Sequence, residues 1–443
     1  MSKLLKWFST NYKYLIAGIF LVIPLYPKFP SIQVPFTYVS VRLEDFLMLL
    51  VAIILALLSI KELKLYWRKS LEKSIFISLI IGFFSLASAI ILTNTVVPSV
   101  GVLHWARRIE YFLPFFASLY VLRERNSALI EFYMKLLLIV VFIAFVYGLG
   151  QKYLYWPVII TQNLEYSKGI ALRWVPGSNL NSTFAGHYDL ASYLVMVIPI
   201  LVCWLVKVKG WTSRAIIFLA LFAGGWLLSN TLSRIASVSA IAASGVALLM
   251  LRKYKAIVVL AIVGLIFLGL SGDLRARFQR IFDVVVKQVS AQEMSLPIPT
   301  PSPIPVFEDR STSIRMNVEW PRAIRAFTKN PFLGTGYSSI TLATDNDYLR
   351  LLGEVGILGF VAFMVILVKL GRLGLTVYKN LGKNIYSDLD AVFLAGYFGG
   401  FVGFLATAMF IDVFEASKVA ITFWLFTGIA VSITRNSKYE QQK

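Results

Sequence analysis

Cysteine is all but absent: Cys203 is the only one in 443 residues, and it sits in an apolar run. A disulfide framework and a cysteine zinc site are both excluded. Histidine is nearly as scarce. His104 and His187 lie far apart, and neither has a second ligand three or four residues on, so no metal-ligand pattern is present. Acidic residues are also few, 23 Asp and Glu against 43 Lys and Arg, for a formal net charge of +20. Charged residues of either sign make up only 15% of the chain, whereas 58% is hydrophobic. Soluble domains average about 45–50% apolar residues. A mean hydropathy of +0.73 completes the contrast.

What is present in their place is long uncharged apolar runs. Ile75 to Leu92, Ala215 to Leu232 and Ala256 to Gly272 hold no charge, and each approaches the length a helix needs to cross about 30 Å of hydrocarbon. The runs do not alternate, so they read as helices and not as barrel strands. The sequence predicts an all-α integral membrane protein with about twelve transmembrane helices, near 13–27, 43–60, 74–93, 109–122, 129–150, 187–206, 214–230, 233–250, 255–271, 346–369, 389–411 and 417–434. The start, with Lys3, Lys6 and Lys13 before an apolar stretch, reads as a first membrane helix because no A-x-A cleavage site follows. Basic residues crowd every second connection, as at Lys61–Lys73, Lys207–Arg214, Arg252–Lys255 and Lys369–Lys383. That bias assigns both termini to the cytoplasm. It also explains the net charge without nucleic acid, and the expected surroundings are a lipid bilayer.

Three regions follow: membrane helices in 1–272, an extracytoplasmic loop in 273–345 between the ninth and tenth helices, and membrane helices with a cytoplasmic tail in 346–443. Long loops translocate whatever their charge. Within this loop, Asp273 to Val289 reads as an amphipathic helix, and Leu296 to Pro305 as extended polyproline-like chain. Ile314, Val318, Ile324 and Phe327 mark an apolar helical stripe with a kink expected at Pro321. Gly334-Thr-Gly336 reads as the turn back to the membrane. Gly396-x-x-x-Gly400 and Gly399-x-x-x-Gly403 signal close helix packing.

Charge at membrane depth is costly, and here it gathers at the outer helix ends: Arg107, Arg108 and Glu110; Arg173; His187 and Asp189; Arg234; Arg310 and Arg315; Asp345, Asp347 and Glu354. Arg234 lies in Ser229-Asn-Thr-Leu-Ser-Arg-Ile-Ala, a short outer turn opening a helix. Backbone N–H groups, the helix dipole and a guanidinium together suit a phosphate; an arginine snorkelling to lipid phosphates is the plainer reading. Arg315, Arg322 and Lys329 recur every seven residues and share a face, which is either solvated or ligand-binding. Asp347, Arg350 and Glu354 stack as a ladder on the next helix. Asp345 falls off that ladder and is either an N-cap or a carboxylate that meets a substrate hydroxyl.

Asn330-Pro-Phe-Leu-Gly-Thr-Gly-Tyr, then Asp345-Asn-Asp-Tyr-Leu, then Glu354-Val-Gly resembles the signature of the O-antigen ligase and O-antigen polymerase (Wzy) superfamily. Ser233-Arg234, Ser313-Ile-Arg315 with Trp320, and Thr183-Phe-Ala-Gly leading to Leu190-Ala-Ser-Tyr-Leu agree with it. The resemblance covers about 170–355 in motif. It implies a GT-C-like, metal-independent, inverting glycosyltransferase of the bacterial plasma membrane, needing no cofactor and acting at the outer face. Its donor and acceptor would be glycans on polyprenyl pyrophosphate, and a chain-length regulator is a possible partner. The resemblance gives Arg234 and Arg315 the pyrophosphate and Asp345 the base position. Arg173, His187, Arg310, Arg322, Asn346, Tyr348 and Glu354 would bind substrate. Ligases carry His where this chain has Asp345, and Asp-Asn-x-Tyr is a familiar polymerase variant. Polymerase is therefore the leading expectation and ligase the alternative. A transporter or flippase is the non-enzymatic rival; it would place charge at the midplane on broken, repeated helices.

The topology is tested by Ser302→Cys. A membrane-impermeant maleimide should label that cysteine in intact cells. Labelling only after permeabilisation would reverse the orientation.

Overall fold

The computed structural model describes residues 3–28, 30–35, 37, 40–59, 63–123, 126–158, 172–270, 314–341 and 343–441. The expected amphipathic helix at 273–289, the Pro-rich stretch and Arg310 lie outside the described residues. The described chain is overwhelmingly helical. Helices α1 (Lys3–Leu25), α2 (Leu43–Ser59), α3 (Leu63–Arg68), α4 (Ser70–Ile91), α5 (Pro98–Val121) and α6 (Ser127–Tyr153) form the first half. They are followed by α7 (His187–Lys207), α8 (Trp211–Asn230), α9 (Arg234–Met250) and α10 (Tyr254–Leu270). After the loop come α11 (Trp320–Lys329), α12 (Asp347–Leu381), α13 (Asp388–Thr407) and α14 (Ser417–Gln441). Two small antiparallel ribbons, which an all-α reading does not anticipate, pair β1 (Pro30–Gln33) with β2 (Ser40–Arg42) and β3 (Pro157–Val158) with β4 (Leu172–Arg173).

Eight described helices are long and apolar enough to cross a membrane. Helices α2, α9 and α10 have 17 residues each, and α5 carries His104, Arg107, Arg108 and Glu110. These fall short on length or composition, so eight spans, not twelve, are supported on those grounds. Some boundaries also differ from the sequence reading. Helix α5 begins at Pro98 and not near 109, because the charges in its first half are paired inside the bundle: Arg107 with Asp45 at 3.7 Å, and Arg108 with Glu415.

The outer surface of the bundle is apolar. Val258, Val259, Ile262, Val263 and Ile266 of α10 are all exposed, as lipid-facing residues are and those of a soluble monomer rarely are. The interior is centred on α14, where every residue from Ser417 to Thr434 is buried. Against this core, α13 packs closely on α7 and α9. A Cβ at Gly396 would run into Ile200, and one at Gly399 into the Ala243 carbonyl, so the small-residue motif marks helix contact as expected.

The ends of the bundle are distinct. Ser9 near the start of α1 meets Tyr120, and Asn436 near the end of α14 donates to the Leu122 carbonyl. Both termini therefore reach the C-terminal end of α5. At the opposite end, the buried Lys418 ammonium donates to the carbonyls of Tyr26 (2.6 Å), Thr183 (3.0 Å) and Pro24 (3.4 Å). It ties α1 and the segment before α7 to the head of α14.

Helix α12 breaks at Gly356, whose φ is +66°. The break frees backbone groups, and the segment after α11 satisfies them. Ile357 N–H bonds Pro331 O, Leu358 N–H bonds Phe332 O, Thr335 N–H bonds Gly353 O and Gly336 N–H bonds Glu354 O, at 2.8–3.2 Å. A Cβ on Gly356 would overlap the Phe332 carbonyl, and one on Gly334 (φ +68°) would overlap the Glu354 carbonyl. The Pro-x-x-Gly-x-Gly and Glu-x-Gly motifs are thus two sides of one joint. Non-helical backbone at membrane depth is tolerated only when paired in this way. Gly356→Ala should cost about 1–3 kcal/mol, because φ +66° with ψ −171° is a conformation essentially confined to glycine, with the overlap added. The check is a lower melting temperature in detergent; an unchanged midpoint would contradict the joint.

Candidate active site

The segment that carries Arg315 is one turn of π-helix, Arg315–Glu319, closed by the Trp320 N–H to Arg315 O and followed directly by α11. Pro321 stands in the first turn of α11, where the missing N–H is best tolerated. The wide turn shifts the register, so the seven-residue basic face does not form as expected. Arg315 is buried, Arg322 half-buried and Lys329 exposed.

Arg315 meets Asp345. Its Nε and one terminal nitrogen both donate to Oδ2, at 3.0 and 2.7 Å, and that terminal nitrogen also donates to the Tyr188 hydroxyl at 3.3 Å. The residues assigned to pyrophosphate and to base chemistry therefore form one pair. Burial pushes the Asp345 carboxyl up from the ordinary range; Arg315 opposes the rise and Asp412 adds to it. Asp345 is not the cap of α12. Asn346 is, its side chain accepting from Leu349 N–H at 3.0 Å.

Asp345 is held in place by Asp412, which the sequence reading missed. Asp345 adopts a left-handed conformation (φ +48°). The peptide N–H groups on either side, of Thr344 and Asn346, donate to the two Asp412 oxygens at 2.8 and 3.0 Å. Arg350 adds a third bond to Asp412 at 3.1 Å. Arg350 also pairs with Glu354 at 3.4 Å, as the ladder predicted. Asp347 departs from that ladder, accepting from Phe414 N–H at 3.1 Å. Glu415 lies between Arg350 and Arg108, and these two arginines hold its carboxyl below the ordinary range despite burial. A clue was available: Asp412 and Glu415 are two acids in one short turn between strongly apolar helices, the same feature that singled out Arg234.

The other expected site residues scatter around this centre. Tyr348 donates to Leu405 O at 2.9 Å and, with Asp347, Glu354, Arg108 and Tyr337, lines a narrow cleft walled by Leu79, Phe112, Phe363 and Trp424. Glu354 is buried, and its carbonyl accepts from Ser85. His187 opens α7 with its ring tilted 39° against that of Tyr188, centroids 4.1 Å apart. Arg234 is the first residue of α9, behind its cap Ser233, and α9 packs along the same α7 that receives Arg315. Arg173 is exposed in β4. Among the described residues no three His, Cys, Asp or Glu side chains gather to hold a metal ion.

Residues 216–364, about a third of the chain, match the family model described as O-antigen ligase. None of the curated proteins matches the sequence. The matched stretch includes Arg234, Arg315, Asp345 and both halves of the Gly334–Gly356 joint.

Asp412→Ala strips two N–H groups and a guanidinium of their acceptor. The expected loss is roughly 2–4 kcal/mol of stability, read as a lower melting temperature in detergent, together with loss of turnover. A variant with wild-type stability and activity would show that Asp345 is held by other means.

Proposed function

We propose that this chain, whose residues 216–364 match the family model described as O-antigen ligase, transfers a polyprenyl-pyrophosphate-linked glycan onto a sugar hydroxyl at the outer face of the plasma membrane. The observation that carries this reading is the Arg315–Asp345 pair, set at the bundle end opposite the termini and beside the helix that packs on α9. Both termini are cytoplasmic in this proposal, all twelve apolar helices cross the bilayer, and the 273–345 segment is outside.

As the bond from the anomeric carbon to the pyrophosphate oxygen breaks, negative charge builds on the departing pyrophosphate. Fixed cations aimed at developing charge are usually the largest catalytic contribution. Arg315 and Arg234 supply them. Asp345 holds Arg315 in the orientation that meets the pyrophosphate. The side chains do this without a metal ion, and direct attack by the acceptor inverts the anomeric centre.

The acceptor we favour is a second lipid-linked repeat unit, which makes the protein a polysaccharide polymerase. The carboxylate at position 345 supports this choice, since ligases of the superfamily resemble one another in carrying histidine there. The second reading is a ligase, in the terms of the matched model's description, which transfers the glycan to lipid A core or another acceptor. The two differ in product: a ladder of lengthening lipid-linked glycan for the polymerase, a single capped acceptor for the ligase.

Arg315→Ala and Arg234→Ala should each abolish product at normal expression. Arg→Lys should restore little, because a point charge loses the bidentate fork. The assay uses lipid-linked glycan extracted from cells deleted for this gene. Full activity of Arg315→Ala would remove the basis of the proposal.

A further inference from the structure

Three buried polar atoms on the two segments that the Arg315–Asp345 pair joins have no hydrogen-bond partner: Glu319 Oε2, Trp320 Nε1 and Thr344 Oγ1. Two follow Arg315 on the π-turn and its exit, and the third directly precedes Asp345. The 2.7 Å bond between Arg315 and Asp345 draws the two segments together. Thr344 is 0% exposed. Orphaned buried groups are costly and rare in native proteins, so several on two segments tied by one ion pair call for a ligand that supplies their partners.

We infer that Glu319, Trp320 and Thr344 form the acceptor-saccharide subsite beside the Arg315–Asp345 pair, and that Glu319 takes the proton of the attacking hydroxyl. The inference rests on the glycan-transfer reading above. A carboxylate oxygen accepts, an indole N–H donates and a threonine hydroxyl does either. That mixture fits neighbouring sugar hydroxyls, which donate and accept. A phosphate, which only accepts, would be repelled by Glu319, and an apolar chain would leave all three groups unpaired.

The choice of Glu319 over Asp345 follows from the bonding. Both Arg315 donors fall on Asp345 Oδ2, which commits that carboxylate to holding the guanidinium. Burial, with Asp345 close by, lifts the Glu319 carboxyl to about 7; Asp412 adds to the rise, and Arg315 and Arg322 oppose it. A base poised there is matched to neutral pH. In the step itself, the hydroxyl oxygen bonds to the anomeric carbon. The bond from that carbon to the pyrophosphate oxygen breaks, with its electron pair leaving on the pyrophosphate. The hydroxyl proton passes to the Glu319 carboxylate and from there to solvent.

The test uses the full-length protein in detergent and lipid-linked glycan extracted from a strain lacking the gene. Glu319→Gln should lower turnover at least about 100-fold while still binding polyprenyl pyrophosphate, measured by thermal shift. In Glu319→Gly, added formate should restore part of the turnover, a response that a merely structural role would not give. Turnover of Glu319→Gln within threefold of wild type would overturn the inference, as would loss of polyprenyl pyrophosphate binding or a failure of formate to rescue. Arg315→Ala separates the two levels. If it loses polyprenyl pyrophosphate binding while Glu319→Gln stays active, only the subsite assignment fails. If Arg315→Ala also binds and turns over normally, the glycan-transfer reading fails with it.

Discussion

One carboxylate, Asp412, sets the geometry of the site. It sits in the turn between α13 and α14, the two most deeply buried helices, and so inherits their rigidity. Its two oxygens take the N–H groups flanking Asp345, which fixes a left-handed residue in a single orientation. Aspartate is among the few residues that visit this conformation at modest cost. From there the order spreads outward: Asp345 holds Arg315, Arg315 reaches Tyr188 on α7, and Arg350 ties the same carboxylate to the start of α12. The site is built from the ends of helices far apart in sequence, and Asp412 is where they meet.

A second constraint acts from below. The break in α12 at Gly356 would leave carbonyl and N–H groups bare at membrane depth. The 330–336 segment fills them, which fixes the end of α11 and, through it, the π-turn bearing Arg315. The motif that carries the family resemblance is thus mostly architectural. Its glycines allow the backbones to touch.

The helices were legible in the sequence because lipid imposes a simple rule, long uncharged apolar runs. Arg315, Asp345 and Arg234 could be singled out as candidates from the sequence, by charge at the outer helix ends and by the family resemblance, and the structure brings the first two together. Other features were not. The pairing of Arg315 with Asp345 depends on contacts across 30 residues, and the π-turn that breaks the seven-residue basic face leaves no mark in the periodicity. Asp412 and Glu415 matter through what they touch. The start of α5 was misplaced because its charges look solvent-bound until Asp45 and Glu415 are seen opposite them. The β1–β2 and β3–β4 ribbons are too short to register as strands.

The central claim is that this bundle makes a glycosidic bond at the expense of a polyprenyl pyrophosphate linkage. The most direct measurement reconstitutes the purified protein in proteoliposomes with extracted lipid-linked glycan and follows two quantities together: polyprenyl pyrophosphate released and glycan length. The account predicts one pyrophosphate lipid released for each glycan joined. Passage of intact lipid-linked glycan across the bilayer, with no release and no lengthening, would contradict it.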